Sequence, residues 1–163
     1  YQAHDQMIAL TLLKGPKYPD PVSDQEEHWF TYSLYPHERS WREAATIQEA
    51  ADLNDPVLAV LGESHSGALP SAHSFLVLEG SGLTLDAVKQ AETGEDLIVR
   101  VVERLGGRTQ TALRVDCPIE SCFACDLMES GSEPLRLEQG VLQFEMGPYE
   151  VCTFRLQKQT TVS

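Results

Sequence analysis

The chain has 163 residues, enough for one domain with a core, since a chain near this size buries roughly 70% of its unfolded surface. Its 25 acidic and 12 basic residues give a formal net charge of −13, which repels phosphate backbones and anionic lipid and argues against nucleic acid and membrane as partners. Apolar residues make up 42% of it, a globular composition, and no apolar run approaches the ~20 residues of a membrane-spanning helix.

The first residues, Tyr1-Gln2-Ala3-His4-Asp5, carry no Met, basic region or apolar signal core, and are expected to be an internal point of a longer chain. Residues 7–13 are apolar and stop at Gly15-Pro16, which predicts a strand. Residues 28–35 predict another, with Phe30, Tyr32 and Leu34 on one face and Thr31, Ser33 and Tyr35 on the other. Between them residues 14–28 are polar and punctuated by Pro16, Pro19 and Pro21. Prolines fix their own φ and bias the preceding residue toward extended backbone, so a stiff projecting arm is expected. Loops of that length in compact domains are usually functional or disordered.

Ser40-Trp41-Arg42-Glu43 has the form of a capping box, and Trp41, Ala44, Ile47 and Ala51 then share one helical stripe. Asn54-Asp55-Pro56 stops that helix, because proline cannot continue it. Residues 63–72 form a loop. Strands are predicted at 75–79, 83–88, 97–105, 109–115, 123–128, 135–137, 141–146 and 149–156. In 97–105, Leu97, Val99, Val101 and Leu105 oppose Arg100 and Arg104; in 109–115, Leu113 and Val115 oppose Gln110 and Arg114. Gly106-Gly107 predicts a tight hairpin joining these two, and Gln139-Gly140 and Gly147-Pro148 predict the later turns. Short strands set between Gly and Pro signals predict an all-β fold. The expected architecture is an antiparallel β-sandwich with one short inserted helix, as one domain over residues 1–163.

The chemistry-bearing residues are sparse. Cys122-Phe123-Ala124-Cys125, with Cys117 and Cys152, invites a zinc reading, but positions i and i+3 of a strand face opposite ways and no knuckle glycine follows. Small cysteines in a β-core, reduced at least in part, explain the pattern more simply. The histidines His4, His28, His37, His65 and His73 include no pair at metal-ligand spacing. Asp20, Asp24, Glu26 and Glu27 crowd one loop without the apolar surroundings that would raise one carboxyl for acid catalysis. No nucleophile elbow, phosphate loop or dinucleotide fingerprint is present. The single asparagine, Asn54, precedes Asp55-Pro56 and so offers no N-glycosylation acceptor. With cysteines that need no pairing, this points to a cytoplasmic protein.

Residues 10–21, Leu-Thr-Leu-Leu-Lys-Gly-Pro-Lys-Tyr-Pro-Asp-Pro, run into the segment from Asp24 to His37 that holds His28, Phe30, Tyr32, Leu34 and Pro36. Together they resemble the stretch of family 38 α-mannosidases that reads roughly L-S-L-L-R-x-P-x-x-P-D, then D-x-G-x-H-x-F-x-Y-x-L-x-P-H. Residues 49–56 are similar to that family's E-A-Y-x-L-N-x-P. Residues 85–92 and 97–103 are similar to its V-K-x-A-E and I-V-R-L-Y-E blocks, and 126–129 and 148–151 to its closing strands. Lys14 stands where the family has arginine, and Glu26 where it has glycine, so a bidentate contact or a glycine-only backbone would be lost there.

The resemblance, to the cytosolic and bacterial branch, implies a parent enzyme that hydrolyses terminal α-mannosides with retention. Its divalent metal, usually zinc, and its aspartate nucleophile lie on an N-terminal catalytic domain. No catalytic residue, metal ligand or cofactor is then expected in these residues. The implied role is a β-domain that packs on the catalytic domain of the same chain, with Lys14, Asp20, Asp24 and His28 bordering the substrate cleft. The competing reading is an autonomous carbohydrate-binding module using Tyr18, Trp29 or Trp41.

Overall fold

The computed structural model describes residues 1–68 and 70–159. The chain forms two compact units, Tyr1–Glu38 and Arg39–Ser163.

In the first unit, β1 (Gln2–His4) pairs antiparallel with β2 (Met7–Ala9). Asp5 and Gln6 turn the hairpin, both at positive φ. The strand predicted over 7–13 therefore ends at Ala9. The strand predicted over 28–35 does not form: these residues belong to no ladder. Alternation sets which way side chains point, but a ladder also needs a neighbour offering N–H and C=O groups. No strand among the described residues pairs with this segment.

The second unit opens with a turn in which Ser40 C=O accepts the N–H of Glu43 at 3.0 Å and of Ala44 at 3.1 Å. Glu43 reaches back to the Ser40 N–H at 3.3 Å, half of a capping box. The other half is missing, because Ser40 Oγ donates to Glu43 Oε2 at 2.7 Å and caps no amide. Ala45, left-handed at φ 53°, separates this turn from α1 (Thr46–Asn54). The helix thus begins later than its sequence signal, and Trp41 precedes it. It ends as expected: the Asp55 N–H bonds Ala51 C=O at 2.8 Å and the Asn54 side chain bonds Ala50 C=O at 2.7 Å, satisfying terminal carbonyls.

The strands that follow are β3 (Leu76–Leu78), β4 (Leu83–Gln90), β5 (Leu97–Glu103), β6 (Thr109–Val115) and β7 (Ile119–Cys125). After them come β8 (Glu133–Leu135), β9 (Leu137–Glu138), β10 (Val141–Met146) and β11 (Val151–Lys158). They build two antiparallel sheets, ordered β3-β6-β10-β9 and β4-β5-β11-β7-β8. The sandwich core draws on both. Val99, Val101, Cys122, Phe154 and Leu156 come from the larger sheet, and Leu113, Val115, Leu142 and Met146 from the smaller. Register fixes which side chains meet: Val99 lies opposite Phe154 and Phe154 opposite Ala124, while Leu113 lies opposite Leu142. Phe144 and Phe154 meet edge to face across the layers at 4.7 Å. Each fully buried aliphatic side chain contributes roughly 1.5–3 kcal/mol.

One predicted connection is corrected. Gly106-Gly107 does not close a hairpin, because β5 and β6 lie in different sheets. The segment is an arch that carries the chain over the edge of the core. Gly147-Pro148 makes the equivalent arch from β10 to β11. Gln139-Gly140 is a true two-residue turn between paired β9 and β10, with φ 50° and 78°. Such turns need positive φ at both positions. A Cβ on Gly140 would also lie 2.8 Å from Val115 C=O.

Candidate functional site

The arm of residues 14–28 folds back on itself. Ser23 Oγ donates to Pro16 C=O at 3.1 Å, and Gln25 Nε2 donates to Pro21 C=O at 3.0 Å. Asp20 turns the chain, its carboxylate accepting the Val22 N–H at 3.0 Å. Asp24 takes the left-handed conformation at φ 58°, and its carbonyl accepts a hydrogen bond from His28 Nε2 at 3.2 Å. The His28 ring stacks on Phe30 with centroids 6.0 Å apart. Asp20, Asp24 and His28 thus sit on one self-bonded loop, and Lys14 at its exposed base. Lys14 makes no hydrogen bond or ion pair among the described residues, and none of the four is buried.

The first unit presents a groove of about 590 Å3, lined by Gln6, Ile8, Leu10 and Leu12 from one segment and Tyr32, Ser33 and Leu34 from another. Trp29 and Tyr18 stand almost fully exposed, at 88% and 87%. No residue of 1–38 is buried. Contiguous exposed apolar surface is a general mark of interaction sites. The second unit has a similar feature: Val57, Leu58, Val60 and Leu61 are all at least 90% exposed and belong to no ladder.

A buried polar constellation lies at the arch end of the sandwich. Glu103 points inward, only 3% exposed, and accepts the N–H groups of Leu105, Gly106 and Tyr149, each at 2.8 Å. Burial pushes its carboxyl up, but the amides of Tyr149, Leu105, Gly107 and Gly106 together outweigh that and hold it below the usual glutamate value. Arg42 adds a second tie, donating to Leu105 C=O at 2.9 Å and to Tyr149 Oη at 3.2 Å. This is a structural clasp, since the hydrogen bonds it makes go to the chain's own backbone and to Tyr149 Oη. Its sequence signal was an acid at the same strand parity as Val99 and Val101, directly before Gly-Gly.

The cysteines divide as strand parity requires. Cys122 is in the core at 1% exposure, whereas Cys125 faces the other side, its Sγ 3.6 Å from Thr153 C=O. All four thiols are free. Among the described residues no three His, Cys, Asp or Glu side chains converge as a metal site. His73 instead meets Asp116 at 3.6 Å and Phe75 edge to face, and His65 bonds the neighbouring Ser66 carbonyl.

Residues 82–154, from the start of the larger sheet to the middle of β11, match the model of the glycosyl hydrolases family 38 C-terminal beta sandwich domain. The likeness then runs well beyond it. Alpha-mannosidase 2C1 of Homo sapiens is 32% identical over 158 residues, covering 94% of this chain and 15% of that protein. Alpha-mannosidase G of Dictyostelium discoideum is 31% identical over 154 residues, 91% of this chain and 14% of that protein. An alpha-mannosidase of Saccharomyces cerevisiae matches at 21% over 179 residues. The chain spans about 15% of the length of the curated relatives it matches. No helix among the described residues is long and apolar enough to cross a membrane.

Proposed function

We propose that the chain serves as the non-catalytic β-domain of a retaining, cytoplasmic α-mannosidase that removes terminal α-mannosyl residues. In this reading it packs against the catalytic part of the same polypeptide. The nucleophile and a divalent metal, zinc by the resemblance, belong to that part. The observation that carries the reading is the uncovered apolar surface of a chain similar to a small share of much longer α-mannosidases. Ile8, Leu10, Leu12, Tyr32 and Leu34 line an open groove, and Val57 to Leu61 stand free. Apolar side chains so placed gain roughly 25 cal/mol per Å2 when covered.

The arm of residues 14–28 then borders the substrate cleft. Lys14 supplies a cation that no described residue neutralises, and Asp20, Asp24 and His28 supply polar edges on a backbone held rigid by its own hydrogen bonds. Alanine at Asp20, Asp24 and His28 together, in the full-length enzyme, tests this. Turnover of an aryl α-mannoside falls about tenfold or more, which is ~1.4 kcal/mol of transition-state stabilisation. Activity kept within about twofold at unchanged stability leaves the arm without a role at the cleft.

A further inference from the structure

Val57-Leu58-Ala59-Val60-Leu61 runs without a polar side chain between Pro56 and Gly62. A run this short, bounded by proline and glycine and carrying branched valines, has the sequence of a strand apolar on both faces, since a helix takes roughly 10–12 residues or more. Such strands lie inside sheets that are covered on both sides. Here the run is bare, with Val57, Leu58, Val60 and Leu61 each at least 90% exposed. Among the described residues, those from Pro56 to Ser74 belong to no helix or strand. Both ends of this excursion are held. Behind it the Asp55 N–H bonds Ala51 C=O at 2.8 Å, and ahead of it the Asp116 N–H bonds Phe75 C=O at 2.8 Å. Connections longer than about 12–15 residues with no regular structure of their own are usually functional or disordered.

The chain's own sandwich does not suit this run. A strand added to a free edge of either sheet would turn one face to the core and the other outward. The outward faces are polar. On the smaller sheet Arg114 pairs with Glu79 at 3.3 Å and Gln110 bonds Glu145, and on the larger Lys89 pairs with Glu92 and Arg155 with Asp96. A second copy suits it no better, because each copy carries a net charge of −13 and the two repel. The occupant that fits is a sheet with both faces covered, in a longer polypeptide. The chain spans 15% of its human relative, so a protein of that length has ample further chain to build one.

We propose that Val57 to Leu61 inserts as an interior strand into a sheet of the rest of the polypeptide, paired along both edges and covered on both faces. The partner rests on the reading above, whereas the strand and its two buried faces rest on the run itself. Residue-resolved amide exchange of the full-length enzyme tests it. The N–H groups of an interior strand point alternately to its two neighbours, so consecutive amides from Leu58 to Leu61 all slow by about a hundredfold or more relative to this chain by itself. Leu58→Ser and Leu61→Ser fall on opposite faces, and each speeds exchange across the run about tenfold or more. Where a serine variant fails to fold, the pattern in the unsubstituted enzyme decides. Slowing of every second amide alone makes the run an edge strand and overturns the proposal, as does indifference to either serine. Equal slowing in this chain by itself at raised concentration assigns the run to a second copy and overturns it too. Fast exchange at 57–61 beside protected residues 10–13 and 29–34 removes the inserted strand and leaves the reading above standing. Fast exchange at all three segments removes both.

Discussion

The carboxylate of Glu103 accepts the backbone N–H of Tyr149 at 2.8 Å across 46 residues of sequence, and so ties together the two arches that join the sheets. Its other bonds go to Leu105 and Gly106, within the first arch. The folded carboxyl titrates below its unfolded value. Its stabilisation is therefore complete above the ordinary glutamate range and is lost as pH falls through the folded value. Glu103→Gln is expected to cost ~1.5–3 kcal/mol near neutral pH, the range for hydrogen bonds to a charged group. In urea unfolding the gap between variant and parent narrows as the solution is made acid. Equal stability at neutral pH contradicts the clasp.

Gly106 lies under the Tyr149 ring. At φ 75° a side chain is strained, and a Cβ there would sit 2.6 Å from the Tyr149 hydroxyl. Gly106→Ala is expected to lose ~1–3 kcal/mol, part from the left-handed backbone and part from the collision. Tyr149→Ala in the same chain relieves the collision only. A double-mutant cycle by chemical denaturation therefore shows coupling between the two positions, and strict additivity would contradict the contact.

The sandwich was legible because its strands alternate: Val99, Val101, Leu113 and Val115 fall inward as their parity predicts. What joins the strands was not. Gly106-Gly107 between two alternating runs looks alike whether the chain turns back within a sheet or steps across to the other, since both need sharp turns and both leave inward faces apolar. The segment at 28–35 shows the complementary limit. Its alternation is clear, but pairing depends on a partner strand that the sequence of one segment does not contain. The arm's proline punctuation was readable. Its internal bonds, such as His28 to the Asp24 carbonyl, depend on a left-handed Asp24, a conformation aspartate tolerates but does not dictate.

Thiol chemistry checks the placement of the cysteines. Burial, helped by Cys125, pushes the Cys122 thiol up to about 11; burial, helped by Glu150, does the same for Cys152. A thiol with a raised folded value releases its proton later than the unfolded chain does. Stability from these two groups is thus fully present below the ordinary thiol value of 9.0 and falls as pH rises from there toward about 11. Alkylation at mildly alkaline pH is expected to spare Cys122 and Cys152 in the folded protein and to reach all four thiols in denaturant. Rapid native labelling of Cys122 contradicts its core position.

Amide hydrogen exchange reads the uncovered surfaces. Residues 10–13, 29–34 and 57–61, which belong to no ladder, are expected to exchange freely in this chain by itself. In the full-length enzyme they are expected to be protected, while the β5, β6 and β11 amides are protected in both. Unchanged exchange at all three segments would deny that they meet the rest of the polypeptide.

Turnover of an aryl α-mannoside, measured with and without added zinc on this chain and on the full-length polypeptide containing it, tests the division of labour most directly. The expected result is hydrolysis by the full-length enzyme and none by the chain alone, because its described residues assemble no three-ligand metal cluster and its loop acids stand exposed at Asp20 and Asp24. Hydrolysis by the isolated chain, free of contaminating enzyme, would contradict the assignment of catalysis to another part of the polypeptide.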